Sequence, residues 1–244
     1  MTNVFFILAM GRSGTKFLSN LLNRSSAEVS HEIMPDFLGY QLAYHSEHLS
    51  NLYFSKFRNR IINQRITNSK NNFYGEVNGL LRRSGPSIKL FFPNAPVFHL
   101  FRDGRDVVRS MYSRKTFRYY DPGTYLVYPD MDDPYRYKWD RMSHFEKLCW
   151  YWAKDNECLR KITKNRLQFE SIVNNYDYFK ENLLDKLDIR MERDIWEEIT
   201  STPKNITRNF RIPHWTEWPV KYKESFNNIC AHEMANLGYD LSDF

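Results

Sequence analysis

Val4-Phe5-Phe6-Ile7-Leu8-Ala9-Met10-Gly11-Arg12-Ser13-Gly14-Thr15-Lys16 is the stretch on which the fold turns. An unbroken apolar run meets two glycines that bracket Arg12 and Ser13, and a helical pattern over 16–24 follows. This reads as strand, tight turn, helix. Backbone N–H groups at such a turn point outward without intrahelical partners, and the helix dipole adds partial positive charge, so the turn suits an anion. A second segment of the same form lies downstream, where an apolar strand over 96–101 ends in Arg102-Asp103-Gly104-Arg105-Asp106 and a helix bearing Arg109 and Ser110 follows. The charged run over 102–106 also reads as an ordinary helix start, its carboxylates favourable near the N-terminus.

Working outward, short apolar segments over 28–31, 72–77 and 166–169 predict further strands, and helical spacing appears over 42–66, 145–162, 172–187 and 222–237. Alternation of this kind predicts an α/β fold: three layers, a mainly parallel sheet flanked by helices, with ligands at the carboxyl ends of the strands. Trp150, Tyr151 and Trp152 stand consecutively on one of the helices, so at least one of them is expected to face away from the core. The segment 116–141, rich in Tyr, Asp and Pro, reads as a long loop, and one domain over 1–244 is the default.

The first turn is not an ordinary nucleotide loop. A Walker A loop needs Gly, four residues, Gly, Lys, then Ser or Thr. Here Ala9 stands where the first glycine should be, and Gly14 is followed by Thr15. Magnesium-dependent kinase chemistry is disfavoured. The order of parts instead resembles the sulfotransferase family, whose donor is 3′-phosphoadenosine 5′-phosphosulfate. The resemblance lies in a basic residue directly before Ser13-Gly14-Thr15, and in Arg102 followed eight positions on by Ser110. It implies a P-loop NTPase-like sulfotransferase fold in which Gly11, Arg12, Ser13, Gly14, Thr15 and Lys16 hold the 5′-phosphosulfate and Arg102 with Ser110 holds the 3′-phosphate. A third echo near the C-terminus, Arg208 seven positions before Trp215, implies a further contact to the 3′-phosphate, although the glycines usual in that loop are absent. Phe169 and Trp215 are the candidates for stacking on adenine.

Such an enzyme moves a sulfuryl group to an acceptor hydroxyl, with positioned cations and N–H donors as its main resource and no metal expected. Arg12 is the natural cation, and Lys16 is a candidate for the bridging oxygen. Many relatives carry their base on a strand reading Lys-x-His, but the corresponding stretch here is Glu76-Val77-Asn78. Relatives of another branch place a glutamate on the second strand, and Glu32 occupies that place. Glu32 is therefore the expected base, with His31 and Glu76 as alternatives, while His99 suits a core histidine. The aromatic loop over 116–141, interleaved with acidic residues, suggests a saccharide or glycolipid acceptor.

Composition fits an acidic small-molecule ligand. Lys and Arg number 35 against 29 Asp and Glu, a net charge of +6, and the cations are spread along the chain, so no nucleic-acid partner is expected. Three cysteines, Cys149, Cys158 and Cys230, are too few and scattered for a disulfide framework or a Cys-x-x-Cys zinc site. No window is long and apolar enough for a membrane helix, no amphipathic basic helix stands out, and a cytoplasmic location is expected. An ATP-dependent small-molecule kinase and a non-catalytic nucleotide-binding protein are the competing classes.

Overall fold

The computed structural model of the chain describes residues 3–33, 37–69, 73–201 and 209–241. Two compact units are formed, one from Met1–Arg102 with Leu159–Ile206, the other from Asp103–Cys158 with Thr207–Phe244.

The first unit is built on a five-stranded sheet. Its strands are β1 (Asn3–Ala9), β2 (Glu28–His31), β3 (Phe73–Asn78), β4 (Val97–Phe101) and β5 (Arg166–Gln168), in the order β2-β3-β1-β4-β5. Every pairing is parallel. The unbroken apolar character of β1 follows from its central position, because a strand buried on both faces has no solvent side to mark with polar residues. Phe5, Ile7 and Ala9 face one core, and Phe6 and Leu8 face the other.

On the first face lie α1 (Thr15–Leu22), α8 (Phe169–Asn174), α9 (Tyr176–Phe179), a π-helical turn Lys180–Leu184, α10 (Asp185–Leu187) and α11 (Arg193–Thr200). The second face takes Phe54 from a π-helical turn Phe54–Arg58, Ile62 from α4 (Asn59–Asn68) and Ile88 from α5 (Gly85–Phe91). Each fully buried Phe, Leu or Ile contributes roughly 1.5–3 kcal/mol to holding the layers together. Two further helices, α2 (Phe37–His45) and α3 (Glu47–Tyr53), precede that turn. The expected three-layer α/β architecture is the one observed.

Several boundaries differ from the sequence reading for local reasons. The helical stretch expected over 172–187 is interrupted at Asn175, whose extended backbone and side chain restart the helix by accepting from the Tyr178 N–H at 3.1 Å. The stretch expected over 42–66 breaks at Ser46, which accepts from the Leu49 N–H at 3.2 Å. Phe169 opens α8 rather than ending β5.

The second unit contains α6 (Gly104–Tyr112), 3₁₀ turns at Arg136–Arg141 and Trp215–Glu217, and α12 (Val220–Asn236). A further helix, α7 (His144–Ile162), begins there and crosses the boundary between Cys158 and Leu159. The expectation that one of Trp150, Tyr151 and Trp152 faces away from the core is corrected: all three are buried. Segments of the loop over 116–141 cover α7 on the side that periodicity assigns to solvent. Trp139 packs edge-on against Trp150 at 4.9 Å and Phe117 against Tyr151 at 5.0 Å, while Trp152 lies near Phe226 of α12. Asp133 accepts from the Trp150 indole N–H at 3.1 Å and pairs with Lys154 at 3.2 Å.

Candidate active site

The carboxyl ends of the strands in the first unit converge on the β1–α1 turn. The connection leaving β1 runs toward β2 at one edge of the sheet, whereas β4 leads toward β5 at the other, so β1 and β4 flank the switch point where α/β sheets take their ligands. Register sets Ala9 opposite Leu100, so Gly11 and Arg102 emerge side by side just beyond it.

The turn has the conformation its glycines anticipate. Arg12 (φ 73°) and Gly14 (φ 94°) are both left-handed. Gly14 is the N-cap of α1 and supplies no side-chain cap. The first intrahelical bond of the turn runs from the Leu18 N–H to the Gly14 carbonyl at 2.9 Å, which leaves the N–H groups of Thr15, Lys16 and Phe17 available to a ligand. Ser13 is fully buried, and among the described residues its hydroxyl has no hydrogen-bond partner. A buried, unsatisfied hydroxyl beside uncapped N–H groups fits the anionic end of a nucleotide donor.

Gly14 has no room for a side chain. A Cβ there would lie 2.2 Å from Cε2 of Phe169, whose ring also packs edge-on against Phe17 at 5.7 Å. The Arg102 guanidinium lies 5.3 Å from the same ring. Gly14, Arg102 and Phe169, chosen from separate stretches of sequence, are thus neighbours.

On the other side of the turn, Nε2 of His31 and the Thr15 hydroxyl are 3.0 Å apart. Burial pushes the His31 imidazole below its ordinary 6.5; the Lys16 charge pushes the same way, and Glu32 opposes both. Lys16 itself is exposed. Glu32 follows β2 with a left-handed backbone (φ 44°), and its Oε1 accepts from the Gly79 N–H at 3.2 Å. A Cβ placed on Gly79 would be 2.9 Å from that oxygen and 4.0 Å from the Gly11 nitrogen, so the Glu32 carboxylate and the first residue of the turn both border Gly79.

Glu76, the alternative base, is occupied otherwise. It is fully buried, pairs with the Arg58 guanidinium and accepts from Asn78 Nδ2 at 2.6 Å. The Asn78 Oδ1 in turn accepts from the N–H groups of Leu80 and Leu81, at 2.7 and 3.1 Å, and so shapes the turn that presents Gly79 to Glu32. Arg82 donates to the Gly79 carbonyl and lies over the Tyr40 ring at 4.0 Å. Sequence reasoning missed Arg58, Gly79 and Arg82; the one available signal was the Arg82-Arg83 pair just past a strand end. His99 is fully buried within β4 beside Phe101.

In the second unit, Asp103 caps α6 by accepting from the Arg105 N–H at 2.8 Å and pairs with the Arg105 side chain at 2.6 Å. Arg105 lies over the Trp215 ring at 4.2 Å, and Arg109 lies over Phe210 at 3.7 Å while donating to the Ile212 carbonyl at 3.3 Å. Ser110 is buried on α6. Arg208 lies outside the described residues.

No protein-family model matches the chain, and no curated protein matches it. Among solved structures, the sulfotransferase domain from the curacin biosynthetic pathway matches over 99% of this chain and 99% of that one, with a TM-score of 0.56 and 12% sequence identity. The chain has a sulfotransferase-like α/β fold.

Proposed function

We propose that this chain transfers a sulfuryl group from 3′-phosphoadenosine 5′-phosphosulfate to an acceptor hydroxyl, on a saccharide or glycolipid. The observation that carries the reading is the Glu32 carboxylate, held by the Gly79 N–H beside Gly11 at the mouth of an anion-binding turn. The likeness of the fold to a sulfotransferase domain over nearly the whole of both chains supports it.

In this reading the uncapped N–H groups of α1, the Ser13 and Thr15 hydroxyls and Arg12 take the 5′-phosphosulfate, and Arg102 takes the 3′-phosphate. The acceptor oxygen attacks sulfur as the bond from sulfur to the bridging oxygen of the 5′-phosphate breaks. Its proton passes to Glu32, and adenosine 3′,5′-bisphosphate departs. Arg12 and the N–H donors meet charge developing on the moving group, and Lys16 meets charge on the bridging oxygen. If Thr15 donates to a phosphate oxygen, its own oxygen accepts from His31 Nε2–H. A neutral His31 serves that purpose, in agreement with its lowered pKa.

Calorimetric titration with adenosine 3′,5′-bisphosphate, beside ATP with magnesium, tests the donor. The bisphosphate is expected to bind more tightly and without metal, and preference for ATP with magnesium would overturn the reading. Arg102→Ala should weaken the bisphosphate about 10- to 100-fold, as loss of a charge-assisted contact does, while hardly affecting a nucleotide lacking the 3′-phosphate. Glu32→Gln should lower turnover in an acceptor screen by about 10²- to 10⁴-fold with bisphosphate affinity retained.

A further inference from the structure

The helices that precede β3 present an outer surface that the nucleotide site does not use. From Glu47 to Asn68 the chain is helical throughout, as α3, a π-helical turn and α4. Its inner face is Ser50, Phe54, Arg58 and Ile62, all buried. Its outer face carries Leu49, Leu52 and Phe57, exposed by 42%, 48% and 59%, and α2, which packs against α3, adds Leu38 at 60%. Exposed apolar side chains occur singly on most soluble surfaces, so their concurrence on adjoining helices calls for a covering partner.

Charge indicates what covers them. Between positions 48 and 75 the sequence has no Asp or Glu, yet it holds Lys56, Arg58, Arg60, Arg65 and Lys70. Arg58 is neutralised internally by Glu76 and Arg65 lies on the same side of the helix, near Tyr74, whereas Lys56 and Arg60 are exposed on the side that carries the leucines. The π-helical turn widens one turn of the helix and shifts later residues out of the 3.6-residue register, which hides this amphipathic basic face from a reading of periodicity. No helix among the described residues is long and apolar enough to cross a membrane. Protruding Leu and Phe beside uncompensated, long-stemmed cations have the chemistry of a helix lying in a bilayer interface.

We propose that the outer face of α2–α4 docks on an anionic lipid surface, with Leu38, Leu49, Leu52 and Phe57 entering the acyl boundary and Lys56 and Arg60 meeting acidic headgroups. The proposal does not depend on the identity of the nucleotide donor. Each cation near an acidic lipid surface strengthens binding about fivefold, and the attraction is screened by salt.

Sedimentation of the full chain with vesicles tests it, using phosphatidylcholine alone and phosphatidylcholine mixed with phosphatidylserine. Binding is expected to the mixed vesicles, falling as salt is raised. The combined Lys56→Gln, Arg60→Gln variant should bind about 25-fold more weakly, and Leu49→Ser with Leu52→Ser and Phe57→Ser at least about tenfold more weakly. Both variants should keep the wild-type circular dichroism spectrum, since the altered side chains are exposed. Val220→Ser, which alters an exposed apolar residue of the other unit, should bind as the wild type does. The proposal is overturned by absence of binding, by equal binding to neutral vesicles, by unchanged affinity of the two variants, or by a leucine variant that instead dissociates an oligomer in light scattering, which would make the face a contact between copies of the chain.

Discussion

A methyl group on Gly14 would do two separate kinds of damage, and they can be measured apart. The backbone there is left-handed at φ 94°, which costs a non-glycine residue roughly 1–3 kcal/mol, and the Phe169 ring occupies the space the methyl would need. Forcing extra volume against a packed ring adds roughly 1–3 kcal/mol. Gly14→Ala is therefore expected to lower stability in urea unfolding by several kcal/mol and to weaken bisphosphate binding, because the strain falls on the anion turn. In a Phe169→Ala background the same substitution should cost only the backbone part; a cost equal to that in the wild type, or none, would show that one of the two causes is misassigned. The glycine was legible in sequence, since a glycine between an apolar run and a helix announces a turn. The ring that makes it obligatory was not, because Phe169 reaches Gly14 only through the pairing of β5 with β4 and the packing of α8.

β3 shows how an element can look catalytic in sequence and serve as support in the fold. Glu76 and Asn78 stand on the strand where the resemblance to sulfotransferases leads one to look for a base, which made Glu76 a plausible one. The observed strand instead buries an Arg58–Glu76 pair and uses Asn78 to fix the turn at Gly79. Nothing near Glu76 in sequence announces Arg58, which comes from a π-helical turn and points inward between Phe54 and Ile62. Removing one partner of a buried pair leaves an uncompensated charge and costs about 3–5 kcal/mol, whereas replacing both with apolar groups of similar volume is often neutral or stabilising. Arg58→Met alone should accordingly destabilise the chain by about that amount, and Arg58→Met with Glu76→Met should recover most of it in the same unfolding assay. If the double variant is as unstable as the single one, the pair is contributing geometry that apolar packing cannot replace. The same dependence on remote partners explains why Trp150, Tyr151 and Trp152 misled: periodicity predicts which side of α7 faces a core, but it cannot foresee a loop folding back over the other side.

At the scale of the whole molecule, parallel alternation was readable because each buried strand is a short apolar run bounded by turn residues, while the division into two units was not, since no linker composition marks Arg102 or Cys158. Each unit nevertheless holds a histidine whose burial lowers its pKa and so ties stability to pH. His31 in the first unit lies below its ordinary 6.5 through burial, aided by Lys16 and opposed by Glu32. His144 in the second donates from Nε2 to the Thr116 carbonyl at 2.8 Å; burial again pushes it down, the Thr116 bond opposes this, and Arg118, Arg211 and Lys147 reinforce the lowering. A histidine depressed in the folded state binds its proton more readily when unfolded. Its stabilising contribution is complete above 6.5 and is lost as pH falls through the folded value, so unfolding free energy should rise with pH across that window. Unfolding followed by urea between about pH 8 and pH 5 should show this slope. His31→Gln and His144→Gln should each flatten it, whatever either substitution does to stability at the alkaline end, and the double variant should flatten it further because the two imidazoles bond different groups, Thr15 and Thr116, and feel different charges. A double variant that keeps the wild-type slope would place the proton uptake on other groups and remove the basis for a neutral His31 beside Thr15.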